Sequence, residues 1–133
     1  MFGKKDESKV QARIDSLIGA GTRIEGNIRF SGGLRIDGEV KGNVEASEGA
    51  SSSTLVLSEQ AQVEGSVNVA HMVSNGAVVG QVTVTEFLEM QSRAKIVGDV
   101  DYAIIEMHQG AVIEGRLVHR GGKSVELKLA ASN

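Results

Sequence analysis

Several residue types are missing or scarce in this chain of 133 residues, and each absence excludes a class of protein. There is no cysteine, which excludes a disulfide framework and a cysteine-ligated zinc site. There is no tryptophan, and phenylalanine occurs three times and tyrosine once, too few for a base-stacking platform. Basic and acidic residues are interleaved and give a net charge of −3, so the one-signed basic field of a nucleic-acid-binding protein is absent.

Long apolar runs and catalytic constellations are also lacking. No stretch approaches the roughly 18 apolar residues of a transmembrane helix, and the N-terminus lacks the apolar core of a signal peptide. These absences predict a cytoplasmic protein. His71, His108 and His119 share no spacing typical of a metal site, and no nucleophile, base and orienting group can be assembled. We therefore expect no enzyme, no metal and no cofactor, a nucleotide included.

Glycine is abundant, and six glycines centre a repeated five-residue unit, aliphatic-x-Gly-x-aliphatic. The units centre on Gly26, Gly38, Gly65, Gly80, Gly98 and Gly115. The residues two before and two after these glycines are aliphatic at all 12 positions. Four positions before each glycine stands a mostly small residue: Thr22, Leu34, Ala61, Gly76, Ala94 and Ala111. Eight positions before it stands an apolar residue: Ile18, Phe30, Leu57, Met72, Met90 and Met107. Such columns indicate a repeat fold.

The alternation around each glycine has a period of two residues, which is typical of a β-strand with branched side chains on one face. Each unit is too short to bury its own apolar face, so successive units must stack at about 4.8 Å and close a continuous core. The pattern predicts an all-β, right-handed parallel β-helix (solenoid) of about six rungs. The glycines are 12, 27, 15, 18 and 17 residues apart, which predicts a shortened first rung and an insertion loop at 45–54.

Two other folds explain parts of the pattern. A β-sandwich of antiparallel strands explains the alternation but not a glycine at one fixed phase in every repeat. A left-handed β-helix of hexapeptide repeats, which often belongs to acyltransferases, explains the six-residue steps from Ile18 through Ile24 and Phe30 to Ile36. Rungs of 15 and 17 residues are not three hexads, which favours the right-handed turn.

The repeat resembles the bactofilins, bacterial polymer-forming cytoskeletal proteins. The resemblance covers about residues 17–119, through I-G-A-G-T-R-I-E-G-N-I at 18–28, L-R-I-D-G-E-V-K-G-N-V at 34–44, V-E-G-S-V-N-V at 63–69 and I-V-G-D-V at 96–100. It implies a β-helix domain at 17–119 between flexible tails at 1–16 and 120–133. It also implies non-polar filaments that assemble without nucleotide on the inner face of the cytoplasmic membrane, where they scaffold cell-wall or morphogenesis proteins.

The two ends of the repeat are the first candidate site, an interface for a homopolymer. A β-helix exposes unpaired backbone groups and a slice of its core at each end, and soluble solenoids cover both with polar capping repeats. Here the aliphatic pattern continues into both ends. We therefore expect subunits to stack end to end through Ile18, Ile24 and Ile28 at one end and Ile113, Leu117 and Val118 at the other.

Either tail could instead cap an end, which would give a monomeric binding scaffold. Residues 10, 14, 17 and 18 are apolar with the spacing of a short helix that could lie across the first rung. Val125, Leu127 and Leu129 alternate as in a strand that could follow the last rung.

The N-terminus is the second candidate site. Met1 and Phe2 place large apolar side chains beside the basic Lys4 and Lys5. The pattern is similar to the membrane-targeting leader of bactofilins, and we expect these four residues to bind the membrane surface.

Overall fold

The computed structural model describes residues 13–47 and 52–120, and all regular structure in these ranges is β-strand. The strands are β1 (Ser16–Ile18), β2 (Arg23–Glu25), β3 (Ile28–Phe30), β4 (Gly33–Ile36), β5 (Glu39–Lys41), β6 (Val44–Ala46), β7 (Thr54–Leu57), β8 (Gln62–Glu64), β9 (Val67–Ser74), β10 (Ala77–Val79), β11 (Val82–Met90), β12 (Lys95–Val97), β13 (Val100–Tyr102), β14 (Ile105–Met107), β15 (Val112–Glu114) and β16 (Leu117–His119). Every strand pairing is parallel.

The strands form the three faces of a solenoid with about six turns, or rungs. The first face consists of β1, β4, β7, the ends of β9 and β11, and β14. The second consists of β2, β5, β8, β10, β12 and β15. The third consists of β3, β6, the starts of β9 and β11, β13 and β16. The predicted parallel β-helix of about six rungs is confirmed.

The core is built from columns of inward-pointing side chains, with one residue per rung in each column. On the second face such a column runs through Ile24, Val40, Val63, Val78, Ile96 and Ile113. Its four middle members are at most 1% exposed. All six are β-branched, as a pleated surface favours, and fully burying one such side chain stabilises the fold by about 1.5–3 kcal/mol.

The register of the second rung differs from the predicted one. Val40 pairs with Ile24, so Gly42, not Gly38, lies beside Gly26. The five-residue unit matches twice in this stretch, as I-D-G-E-V at 36–40 and V-K-G-N-V at 40–44, and the structure uses the second match. The prediction of a shortened first rung is therefore wrong. The glycine column is Gly26, Gly42, Gly65, Gly80, Gly98 and Gly115, with intervals of 16, 23, 15, 18 and 17 residues.

Two neighbouring columns change with this register. In the column of mostly small residues four positions before each glycine, Gly38 takes the place predicted for Leu34. A Cβ at this position would collide with the carbonyl oxygens of Thr22 and Gly19. The first-face column that begins at Ile18 continues through Ile36, Leu57, Ser74, Met90 and Met107. Phe30, which was assigned to this column, ends β3 on the third face, and Met72 lies in the adjacent inward column beside Leu55.

The glycine column is required because the rungs approach closely at this corner. A Cβ on Gly80 would collide with the carbonyl oxygen of Gly65, and the φ angle of Gly80, +149°, is one that other residues rarely adopt. The next position stabilises the same corner. The side-chain oxygen of Asn27 accepts a hydrogen bond from the backbone N–H of Asn43 at 2.8 Å, one rung further on. The corner thus combines close backbone contacts, which leave no room for a side chain at the glycine, with a side-chain hydrogen bond at the next position.

Most of the two predicted tails, and the middle of the predicted insertion, lie outside the described residues. Glu45 and Ala46 belong to β6 and Thr54 to β7, so both ends of the insertion predicted at 45–54 fall within strands. Residues 48–51, 1–12 and 121–133 are not described. Of the helix considered at the N-terminus, Leu17 and Ile18 instead belong to strand β1.

Candidate polymer interface

Both ends of the solenoid carry sheet edges that have no partner strand within residues 13–47 and 52–120. At the N-terminal end, β1, β2 and β3 pair only with β4, β5 and β6. At the C-terminal end, β14, β15 and β16 pair only with β11, β12 and β13. Edge strands present unpaired N–H and C=O groups that form a template for another chain.

The C-terminal end exposes the core in cross-section. Leu117 lies in an inward column beside Val100, which is fully buried, yet Leu117 itself is 49% exposed. Met107 is 42% exposed beside the fully buried Met90. Ile113 is only partly buried against the core. Each of these side chains has the environment of a core residue on one side and none on the other, so a further rung would bury all three.

The N-terminal end exposes less of the core. Ile18 and Phe30 are only 9% and 8% exposed, although they belong to the first rung. Ile24 and Ile28 are partly buried and pack against the core. Ile24 and Ile28 are therefore the members of the predicted interface that this end leaves open, while Ile18 is already covered.

Val118 lies on a different surface from the other predicted interface residues. Leu117 points inward, so alternation along β16 directs Val118 outward, beside Asp101 of the preceding rung. It is 45% exposed on the outer side of the third face. The structure thus places five of the six predicted interface residues in the inward columns of the terminal rungs: Ile18, Ile24, Ile28, Ile113 and Leu117.

Charges on the outer faces are compensated between neighbouring rungs. Arg23 lies beside Glu39, with an Nε–Oε1 distance of 3.7 Å, and Arg29 lies beside Glu45, with an Nη2–Oε1 distance of 3.7 Å. Exposed pairs of this kind contribute little individually, but they favour one register of stacking.

Asp99 occupies the same corner position as Asn27, immediately after a glycine of the column. Its carboxylate accepts a hydrogen bond from the backbone N–H of Arg116 at 3.0 Å. This hydrogen bond, helped by the Arg116 charge and opposed by desolvation, lowers the pKa of Asp99 below its usual value.

One cross-strand pair breaks the pattern of opposite charges. Glu89 and Glu106 are direct neighbours on the outer side of the first face, in the last two rungs. His108 Nε2 lies 3.3 Å from Glu89 Oε2 and 3.1 Å from Glu106 Oε2. Like charges in register destabilise a sheet. The group is also the one place in the described part of the chain where three potential metal ligands converge, within 4.8 Å of one another.

The sequence analysis missed this cluster because it followed only the apolar columns; Glu89 and Glu106 directly precede Met90 and Met107, which it had placed in one column. The predicted membrane-binding residues Met1, Phe2, Lys4 and Lys5 lie outside the described residues. The part of the chain that the structure describes contains no helix long and apolar enough to cross a membrane.

The solenoid with two open ends can be compared with known families. Residues 16–118 match the bactofilin family, whose description is polymer-forming cytoskeletal. The chain belongs to the bactofilin family. The resemblance inferred from the repeat is confirmed, and the family is a structural, cytoskeletal one.

Two similar bactofilins come from Myxococcus xanthus (strain DK1622). BacP is 26% identical over 112 residues, which are 84% of this chain and 45% of BacP. BacO is 24% identical over 111 residues, which are 84% of this chain and 84% of BacO. The chain therefore spans about half the length of BacP and most of BacO. No solved structure matches the chain significantly.

Proposed function

We propose that this bactofilin is a structural subunit, not an enzyme, and that it stacks end to end into filaments without nucleotide. The observation that carries the proposal is the exposed core of the last rung. Leu117 is 49% exposed, although Val100 in the same column is fully buried. The unpaired strand edges at both ends support the same conclusion, and so does the polymer-forming description of the family.

The geometry supplies a source of binding energy that needs no cofactor. A subunit stacked on the last rung would extend the columns that end at Met107, Ile113 and Leu117. Full burial of such a side chain contributes about 1.5–3 kcal/mol, so half-exposed ones each have about 1 kcal/mol left to gain. Backbone pairing along three strand edges adds about 0.5–1.5 kcal/mol per hydrogen bond. Assembly is then an extension of the fold, driven by the contacts that stack the rungs within one subunit.

Charge substitutions on two adjacent residues of β16 test this proposal. We expect Leu117→Lys to abolish filaments, because the ammonium group would have to be buried in the junction without a partner. Val118→Lys is the matched control, since Val118 is 45% exposed on the outer side and a charge there stays in solvent. Filaments are measured by pelleting and negative-stain electron microscopy, without nucleotide or metal.

Two results would contradict end-to-end stacking. One is a uniform small particle formed by the native chain at every concentration. The other is equal loss of filaments with Val118→Lys, which would indicate that subunits associate through their outer faces.

We further propose that the filament lies on the inner face of the cytoplasmic membrane and scaffolds cell-wall or morphogenesis proteins there. The support is the N-terminal pattern, in which Met1 and Phe2 stand beside Lys4 and Lys5. Burial of Phe2 contributes about 1.5–3 kcal/mol, and each lysine near an anionic surface about 1 kcal/mol. A single copy would bind weakly, but a filament that carries many copies gains avidity without new contacts.

Replacement of Phe2 tests the membrane proposal. Phe2→Ser should release filaments from vesicles that contain anionic lipid, as measured by co-flotation. Val10→Ser is the control, because it removes an apolar side chain from the same N-terminal segment but outside the four leader residues. Unchanged flotation of the Phe2→Ser filaments would contradict membrane binding through this leader.

A further inference from the structure

We propose that the C-terminal segment of this chain caps its own C-terminal end, by adding residues 127–129 as a short parallel strand on the free edge of β14. Leu127 and Leu129 would continue the inward columns of Ile105 and Met107, and Lys128 would lie beside Glu106. This cap would occupy one of the three faces that an incoming subunit needs. The inference rests on the proposed end-to-end function and assigns a regulator to the same junction.

The edge of β14 offers both apolar surface and backbone donors. Ile105 is partly buried, and Met107 is 42% exposed although both belong to inward columns. The N–H of Leu88 donates to the carbonyl of Ile104, one rung further on, at 2.9 Å. Ile105 occupies the position of Leu88 in the last rung, and alternate residues of a parallel strand donate to the same side. The N–H groups of Ile105 and Met107 therefore point toward the open end.

The charges at this edge select the occupant. Glu89 and Glu106 are stacked in register, whereas Arg23–Glu39 and Arg29–Glu45 place opposite charges side by side. A lysine in the next rung of the Glu89–Glu106 column would supply the missing positive charge. In the segment S-V-E-L-K-L at 124–129, that residue is Lys128 when the two leucines take the inward columns.

The alternative register of the same segment is unfavourable. If Val125 and Leu127 took the inward columns, Glu126 would become a third stacked carboxylate beside Glu106. Like charges directly opposite one another destabilise a sheet, so this register is disfavoured relative to the one with Lys128.

The chain is long enough and leaves the described region at the right corner. β16 ends on the third face, and in the preceding rung the chain goes from that face, at β13, to the first face, at β14, whose edge is free. At this corner Ile105 follows Tyr102 by three positions, whereas Leu55 follows Ala46 by nine, so connections of different length are tolerated here. From His119 to Leu127 the separation is eight. Two glycines at 121–122 suit the turn at the start of this connection.

Amide hydrogen exchange tests the cap separately from filament formation. The full chain carries Leu117→Lys, which blocks end-to-end stacking through the third face in the proposed function. Exchange of the Ile105 and Met107 amides is compared between the native tail, Leu127→Ser/Leu129→Ser, and the control Val125→Ser. We expect exchange on the order of tenfold faster in the double variant alone.

A second pair of variants tests the charge match in the same assay. Lys128→Glu should accelerate exchange of the same two amides, because it adds a carboxylate to the Glu89–Glu106 column. Lys123→Glu is the matched control, since it makes the same change of charge in the tail but outside the paired strand. Equal acceleration by both variants would overturn the specific role of Lys128.

Three results would overturn the cap itself. The first is equal exchange in the native tail and the double variant. The second is acceleration by Val125→Ser instead, which would exclude the proposed register. The third is protection that increases with protein concentration, which would assign the strand to a second copy of the chain.

Filament assays show whether the cap regulates assembly, and they distinguish failure of the cap from failure of the proposed function. Without Leu117→Lys, the double variant in the tail should lower the concentration at which filaments first pellet by several-fold, because the competing cap is lost. Unchanged assembly would overturn the regulatory role. If no variant forms filaments at all, the proposed function fails, while the exchange experiment still decides whether the cap exists.

Discussion

Four glycines provide a graded test of why rungs of this solenoid stack so closely. A Cβ added at Gly21 or at Gly26 would meet no other atom. The two differ in backbone conformation, because Gly26 has a φ of +139° and Gly21 has no unusual φ. Gly38 has the opposite combination, since its Cβ would collide with the carbonyl oxygens of Thr22 and Gly19. Gly80 combines a φ of +149° with a collision against the carbonyl oxygen of Gly65.

Alanine at each position should therefore change the free energy of unfolding by a different amount. Gly21→Ala should stabilise by about 0.4–1 kcal/mol, because it restricts the unfolded chain. Gly26→Ala should cost about 1–3 kcal/mol of backbone strain. Gly38→Ala should cost about 1–3 kcal/mol, since a backbone oxygen can move away only by separating two rungs. Gly80→Ala carries both costs, about 2–6 kcal/mol in all, against a typical domain stability of 5–15 kcal/mol.

The assay is urea unfolding followed by far-UV circular dichroism, because the chain has no tryptophan to report by fluorescence. All variants carry Leu117→Lys, so that unfolding is measured without assembly. If Gly80→Ala is no more destabilised than Gly26→Ala, close approach of the rungs does not explain the column. If Gly26→Ala is neutral, the positive φ does not matter.

Two further predictions concern single hydrogen bonds. The lowered pKa of Asp99 means that its hydrogen bond from Arg116 contributes stability above the ordinary pKa of 3.8 and loses it as the pH falls below that value. Asp99→Asn, which keeps an acceptor oxygen, should lose less stability than the native chain between about pH 7 and about pH 3 in urea unfolding, and an identical loss would contradict this reasoning. Ser74 is fully buried, and its hydroxyl oxygen accepts a hydrogen bond from the N–H of Gly76 at 3.2 Å. Ser74→Ala should therefore cost about 1–3 kcal/mol, whereas the exposed Ser92→Ala should stay within about 0.5 kcal/mol; equal effects would show that this bond contributes nothing.

The fold was predictable because the repeat places the same chemistry at the same phase in every rung. A glycine flanked by aliphatic residues at two positions either side encodes both the close corner and the two inward columns. The exception is the second rung, where Val40 belongs to two overlapping matches of the unit. The choice between them depends on Asn43 and Gly38. Asn43 continues the corner hydrogen bonds that begin at Asn27, and Gly38 fits a corner that would reject the side chain of Leu34.

The candidate interface was predictable to the extent that it repeats the core pattern. Ile113 and Leu117 end inward columns, and counting from Gly115 gives their phase directly. Val118 is aliphatic like Leu117, but it lies one residue later in β16 and therefore points outward. Hydrophobicity alone did not separate the inward residues from the outward one. The Glu89–Glu106 pair was within reach of the same counting, because each glutamate directly precedes a methionine that stands eight positions before a glycine of the column, Met90 in one rung and Met107 in the next.

The unequal ends have a consequence for the order in which this molecule loses structure. Stability in a solenoid is close to a sum of rung terms and interfaces between neighbouring rungs, and a terminal rung has one such interface instead of two. The last rung also leaves Met107 and Leu117 42% and 49% exposed, whereas Ile18 of the first rung is 9% exposed. In the free subunit, fraying should therefore begin at the C-terminal end, where the proposed cap on β14 covers only one of the three faces. A stacked neighbour would restore the missing interface, so the same contacts that elongate the polymer would complete the folding of its subunits.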